Sequence, residues 1–447
     1  MSSSNGILAP TSSTERISSL DVIRGVALLG ILLMNITGFG LSHAYFDPTV
    51  SGGATGWNLK VWWMDAMFFE GTMRGMFSML FGAGIVLFTS RPNVGNQDVT
   101  DVFFRRLLWL FLFGIIHAYI LLWDGEILYP YALVGMFVFS FRKWEPKYLV
   151  IGTIVLLSIS TLLSVKEYYQ IKKIRNEAVV AQEKKDQGQI LAKADSLSIT
   201  KWTNEVADEK PSQEKIDKDI AARHKGYFSI LLYKAHINQN MQTYVMYRYF
   251  FWDIFAMMLL GIAFLKNGIL KAAKSNQYYT MMVLVGYAIG LTTNYFESSY
   301  IISHHFEIVP AALTNITYDL GRLFTTIGHV GVIMLFYKSG ILPFLQKSLA
   351  AVGQMAFTNY IMQTLICNTI FLGFGFSMYG KLQRYELYYV VIGVWIFQLI
   401  ASPVWLKYFR FGPMEWVWRS LTYWKKQPFK REQQSRATDV VEKPVSA

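Results

Sequence analysis

The chain has 447 residues, 53% of them hydrophobic and 16% aromatic, a formal net charge of +12 and a single cysteine, Cys367. That apolar excess rules out an ordinary soluble domain. One cysteine rules out an internal disulfide and offers no metal-site spacing, so no metal is expected. The positive charge calls for no nucleic acid, because much of it falls in short loops where anionic headgroups of membrane lipids would meet it.

A spanning helix needs about 20 mostly apolar residues, and about ten such cores follow one another at 19–42, 71–89, 103–123, 127–141, 148–165, 248–266, 279–297, 311–337, 352–374 and 388–407. Continuous runs such as "VLLSISTLL" exclude the alternation of a membrane β-barrel. The fold class expected is all-α, a polytopic membrane helix bundle with a polar helical insertion on its outer side. The first run carries Asp21 and Arg24 at its start and lacks a clean cleavage site, so it reads as a retained helix rather than a signal peptide.

Residues 1–16 form a leading segment, 17–165 an N-terminal bundle, 237–424 a C-terminal bundle and 425–447 a basic tail; residues 1–14 and 432–447 read as disordered. Between the bundles, 166–236 is rich in Lys, Glu, Gln and Ala and is interrupted by Pro211. It reads either as a pair of solvated polar helices or as a lid over an outward-facing site. The positive-inside rule places Arg91, Arg105, Arg106, Arg142, Lys143, Lys147, Lys266, Lys271, Lys274, Lys338 and Lys347 in the cytoplasm, with both termini.

Ionisable groups in hydrocarbon cost about 3 kcal/mol on insertion scales, so each should have a partner or a task. In the first helix Arg24 and Asn35 share a face about three turns apart, with Asp21 close by. That stripe reads either as an Asp21–Arg24 pair with Asn35 bonding a neighbour, or as the lining of a cavity. In the second span Glu70 and Arg74 have i,i+4 spacing, and in the eighth Asp319 and Arg322 have that of an intrahelical pair. His43 lies just past the first helix, either as a surface histidine or within reach of an outward cavity.

The stretch "GIIHAYILLWDGEILYPYALVG" places His117 in the outer half of the third helix. Asp124 lies about 10.5 Å further along the same face of a regular helix, too far to bond it. Glu126, after the Gly125 turn, can fold back toward the ring. A carboxylate on one imidazole nitrogen would fix the tautomer and leave the other nitrogen free to take a proton. The other reading is a buried histidine bonded to a backbone carbonyl. No nucleophile elbow, P-loop, dinucleotide fingerprint or zinc motif is present, and the paired glycines of "LFGAGIVLF" suit close helix packing.

Five ordered segments, "LDVIRGVALLGILLMNITGFG", "MFSMLFGAGIVL", "LFGIIHAYILLWDGEILYPYALVG", "VGQMAFTNYIMQTLIC" and "KYFRFGPMEWVWRSLTY", resemble the YeiB family of bacterial inner-membrane proteins. The C-terminal half of that family is catalogued as domain of unknown function 418. The resemblance covers nearly the whole chain apart from 166–236. It implies a place among transmembrane acyltransferases, with the lysosomal heparan-glucosamine N-acetyltransferase and the O-antigen acetyltransferases. Asp21, Arg24 and Asn35 match their first-helix pattern, although the O-antigen branch has histidine where Asn35 stands. The lysosomal branch uses a histidine shortly beyond, for which His43 is the nearest counterpart. The family's own histidine is the one in "FGIIHA", here His117, and Glu126 stands where Gly-Asp is usual.

The resemblance therefore implies acyl-CoA, acetyl-CoA in particular, as co-substrate. Arg24, Arg105 and Arg106 would line its cytoplasmic entrance, Arg74 and Arg322 are further cationic candidates, and His117 would act as base. Asn35 or Arg322 would stabilise the oxyanion, with Asp124 and His43 as reserve candidates, and a carbohydrate or glycolipid would be the acceptor on the outer face. A homodimer is compatible with this reading. The competing expectation is a transporter or channel that uses the same buried polar residues as a path; a third is a non-catalytic membrane assembly partner using 166–236 as its binding surface.

Overall fold

The computed structural model describes residues 17–45, 47–91 and 98–431. Residues 1–16 and 432–447, which include the segments expected to be disordered, lie outside the described residues. Among those described, the secondary structure is helical, with one isolated antiparallel bridge between Phe409 and Lys430 and no sheet.

The first helix, α1 (Ser18–Gly40), is followed by α2 (Trp57–Met64) and α3 (Thr72–Thr89), joined through a wide π-helical turn at Asp65–Phe69. Next come α4 (Val99–Ile115), which runs on through a second π segment at Ile116–Ile120, and the short α5 (Leu128–Val138). At 41 residues α6 (Pro146–Asp186) is about 60 Å long, twice the thickness of a bilayer core. It therefore continues straight out of the bundle to meet α7 (Lys193–Glu209), α8 (Gln213–Arg223) and α9 (Tyr227–Asn240). The chain returns through a π segment at Met241–Phe250 into α10 (Phe251–Lys266). The C-terminal part holds α11 (Asn276–Ser303), α12 (Ile308–Thr314), α13 (Tyr318–Ser339), α14 (Pro343–Gln354), α15 (Ala356–Phe371), α16 (Arg384–Tyr408) and α17 (Pro413–Tyr423).

Six helical runs among the described residues are long and apolar enough to cross a bilayer: Ser18–Gly40, Trp57–Thr89, Pro146–Asp186, Tyr227–Lys266, Tyr318–Ser339 and Arg384–Tyr408. The protein is thus an all-helical, multi-pass membrane protein. The other four expected spans are also helical, but are short, bent or more polar: 103–123 ends in a π segment, 127–141 is α5 with one further turn, 279–297 lies in α11 with Asn294 and Glu297 inside it, and 352–374 is α14 and α15 joined at Met355.

Three sequence expectations change. The span expected at 311–337 is two helices, because the chain turns at Asn315–Thr317. The boundaries at 165/166 and 236/237 both fall inside continuous helices, so the insertion grows out of α6 and α9 without a linker. It is also more than a solvated pair, since Ile216, Asp219, Arg223, Ile230 and Lys234 are buried.

We call the face where α1 begins the near face and the opposite one the far face. In the middle of the bundle, α1 packs on α14, α3, α15 and α16 and buries Leu28, Leu32 and Ile36 completely. The close approach of α3 to α10 depends on two glycines. A Cβ on Gly82 would stand 2.1 Å from the Met258 carbonyl oxygen, and one on Gly261 1.9 Å from that of Met79. Apolar side chains at the periphery, such as Ile151, Ile154 and Leu162 of α6 and Ile392, Ile396 and Ile400 of α16, are exposed, as lipid-facing residues are.

Candidate functional site

The apolar run of α4 loses its regular hydrogen bonding at Ile116, where the wide turn begins; Leu121 N–H donates to the Ile116 carbonyl at 3.0 Å and Trp123 N–H to that of His117 at 3.2 Å. After this turn the chain reverses through Asp124 and Gly125, and Glu126 arrives at the start of α5. Its carboxylate accepts from Tyr129 N–H at 2.9 Å and from Leu128 N–H. Two orphan donors of a helix N-terminus thus hold an anion where the helix dipole favours one.

His117 is fully buried. Its Nδ1 lies 3.6 Å from Glu126 Oε1 and its Nε2 2.8 Å from Thr364 Oγ1 on α15, with the Tyr360 ring packed edge-on at 4.9 Å between centroids. The expected fold-back of Glu126 is therefore present. The partner at the other nitrogen is a hydroxyl, not the backbone carbonyl of the bland expectation. A ring proton on Nδ1, which faces the carboxylate but makes no hydrogen bond to it at 3.6 Å, would leave Nε2 to accept from Thr364.

Thr364 was missed in the sequence, although "FTNYIMQTLICN" carries a signal: Tyr360, Thr364 and Asn368 repeat every four residues, and all three turn inward. Asn368 donates to the Leu121 carbonyl at 2.6 Å. Trp123 closes the site, stacked on Phe39 at 3.7 Å, its buried indole N–H facing the Tyr360 hydroxyl outside ordinary hydrogen-bond geometry.

Asp124 does not share a helical face with His117, because the helix stops at Ile120. It faces the insertion, 3.4 Å from Lys234 Nζ and 3.6 Å from Arg223 Nη2. Lys234 also donates to the Leu122 carbonyl at 2.7 Å and Asn238 to that of Ala118 at 2.6 Å, so α9 lies directly over the turn that carries the site.

The insertion has its own anchor, Asp219, which accepts from Ser42 at 2.6 Å, Tyr233 at 2.8 Å, Arg223 Nε at 2.9 Å and Tyr379 at 2.9 Å. Burial alone would raise this carboxyl; the Arg223 guanidinium and the hydrogen bonds outweigh it and hold Asp219 at about 2. His43 stands beside this anchor on the exposed loop. Desolvation lowers its pKa, Asp219 opposes the shift, and Lys215 and Arg223 add to it.

The remaining candidates are separated into two regions. Toward the far face, Glu70 accepts from Tyr45 at 3.1 Å and Tyr318 at 2.5 Å. Arg74 pairs instead with Asp253 of α10 at 3.0 Å. The expected Glu70–Arg74 pair fails because Gly71, at φ +72°, breaks the helix between them. Arg322 does not pair with Asp319; it bonds Glu297, and Asn294 at 2.9 Å, both on α11, while Asp319 lies by Ser160 and Asp253. An oxyanion role for Arg322 would require it to leave Glu297.

At the near face Arg24 pairs with Asp21 at 3.0 Å, as the structural reading of that stripe expected. Further along α1 the Asn35 side chain is half-buried and bonds no other described residue, so the expected bond to a neighbouring helix is not formed. Arg106 lies on the Trp418 ring at 3.8 Å and Arg105 on Trp424 at 4.2 Å, which ties α4 to α17. Arg419, Arg91 and Arg24 are the like charges that act on Arg106, so the near face gathers four guanidiniums around the start of α4.

A narrow crevice between α5, α9 and the following π segment reaches Glu126, lined by Asp124, Tyr129, Asn238, Gln242 and Phe250. It admits about one water molecule, so in this conformation the site is shut.

A family described as "protein of unknown function (DUF418)" matches residues 264–425. The chain is 31% identical to the uncharacterized protein YxaH of Bacillus subtilis, over 95% of this chain and 98% of that one. It is 32% identical to the uncharacterized protein YeiB of Escherichia coli, over 91% and 96%. An uncharacterized 39.9 kDa protein of Bacillus acidopullulyticus is 27% identical, over 94% and 97%. No solved structure matches the chain.

Proposed function

We propose, for a chain that belongs to the YeiB-like DUF418 family, that it is an acyl-CoA-dependent acyltransferase of the bacterial inner membrane, with both termini cytoplasmic and its acceptor, a sugar or glycolipid, on the outer side. The observation that carries this reading is the buried His117 between a fixed carboxylate and a hydroxyl. An imidazole so placed takes a proton from an attacking hydroxyl and returns it to a leaving thiolate. Glu126, anchored by α5, stabilises the imidazolium formed in between.

The four near-face guanidiniums support an entrance for a polyanion such as CoA. The positive short loops on that face support its cytoplasmic placement, and α8 and α9 would have to lift for an acceptor to reach the crevice.

The test is acetyl-CoA binding and slow thiol release by purified, detergent-solubilised protein. The expected result is saturable binding, weakened in Arg24→Ala, and thiol release lost in His117→Ala. Folded protein that binds no CoA species would overturn the reading in favour of transport.

A further inference from the structure

We propose that Thr364, His117 and Glu126 form a hydroxyl–imidazole–carboxylate triad in which Thr364 Oγ1 carries the acyl group between donor and acceptor. This rests on the acyltransferase reading and adds a covalent carrier to it.

Two observations point to Thr364. A threonine in a helix usually returns its hydroxyl to the carbonyl four residues back. Thr153, Thr325, Thr326 and Thr369 all do so here, at 2.7–2.9 Å. Thr364 does not: its hydroxyl bonds His117 Nε2 instead, and no other described residue bonds it. The hydroxyl is thus diverted onto the nitrogen that would activate it. Both residues are almost wholly buried, as is the Glu126 carboxylate at 2% side-chain exposure, which favours proton transfer within the set over exchange with water.

The second observation is the indole N–H of Trp123, buried and facing the Tyr360 hydroxyl without reaching it in ordinary hydrogen-bond geometry. A buried donor so weakly paired is free to take a better acceptor. A tetrahedral oxyanion formed at Thr364 would supply its acceptor. The 3.6 Å between Nδ1 and Oε1 is long for a hydrogen bond and would shorten as the ring gains charge, as resting catalytic pairs do.

In the first half-reaction the Thr364 hydroxyl proton passes to His117 Nε2 while Oγ1 attacks the thioester carbonyl. The carbon–sulfur bond then breaks and the thiolate leaves with the proton from Nε2, giving CoA thiol and an acyl ester on Thr364. In the second, an acceptor hydroxyl gives its proton to Nε2 and attacks the ester, the bond to Oγ1 breaks, and Thr364 recovers its proton. The ester lets a donor from one face and an acceptor from the other visit the site in turn.

The experiment incubates the full chain in detergent with acetyl-CoA and no acceptor, quenches in acid and maps the acetyl mass by peptide mass spectrometry. The triad requires a hydroxylamine-labile acetyl group on the peptide containing Thr364 and a burst of one thiol per protein. It also requires that both persist in Thr364→Ser, while folded Thr364→Val loses the label and slows release by roughly 10³-fold. Wild-type release rates in folded Thr364→Val, a label on another residue, or turnover without any label would overturn the triad and leave His117 acting on the acceptor directly. Absence of thiol release from any acyl-CoA by the wild type would instead overturn the underlying reading, and the triad with it.

Discussion

Replacing Asp219 by asparagine removes one charge from the point where the insertion meets the bundle. Four donors converge on its two oxygens, from Ser42, Tyr233, Arg223 and Tyr379, at 2.6–2.9 Å. An amide keeps one acceptor oxygen and turns an NH₂ toward donors. Breaking a buried charged pair costs about 3–5 kcal/mol; Arg223 keeps Asp124 at 3.6 Å, which puts the loss at the low end, about 3 kcal/mol. The depression of the Asp219 carboxyl to about 2 independently corresponds to about 2 kcal/mol. Either figure makes local opening of α8 and α9 roughly 30- to 200-fold more frequent. Hydrogen exchange of peptides from 213–240 should accelerate by that factor in Asp219→Asn, while peptides from α1 stay protected. Unchanged exchange in 213–240, or acceleration spread equally into α1, would refute the reasoning, since the anchor would then be either idle or global.

The same anchor gives a pH dependence. Asp219 holds its proton less tightly docked than free, so its contribution is complete above about pH 4 and fades as the pH falls toward 2; exchange of 213–240 measured across that window should rise on acidification before that of α1. Gly71→Ala places a side chain at φ +72° with its Cβ 2.6 Å from the Tyr318 hydroxyl and 2.7 Å from Arg322 Cγ. It should lower stability by at least about 2 kcal/mol, read as a drop in Tm in detergent. Arg74→Leu leaves Asp253 buried and unpaired and should cost about 3–5 kcal/mol, whereas the double change Arg74→Leu with Asp253→Leu should recover most of it. A double variant as unstable as the single one would contradict the pairing.

The apolar runs made the membrane architecture legible, because burial in lipid demands long unbroken helices. Helix ends were less so: α6 and α9 carry polar residues far beyond their apolar cores without changing conformation, and composition alone placed boundaries inside them. Pairings within one helix failed where the backbone broke. Glu70 and Arg74 have ideal spacing, but a left-handed glycine separates them, and the partners of Arg74 and Arg322 come from α10 and α11, distant in sequence. Glu126 was legible because Gly125 signals a turn that folds it back. Thr364 was only half legible: its four-residue repeat with Tyr360 and Asn368 marks an inward face, but nothing local distinguishes a threonine that bonds its own helix from one that bonds a histidine 247 positions away.

The most direct test of acyl transfer through His117 is thiol release in sealed proteoliposomes, with acetyl-CoA supplied on one side and orientation measured separately. The account predicts release only from molecules whose near face, carrying Arg24 and Arg106, meets the acetyl-CoA, and none from folded His117→Gln. Equal release from both orientations, or release that survives His117→Gln, would contradict it.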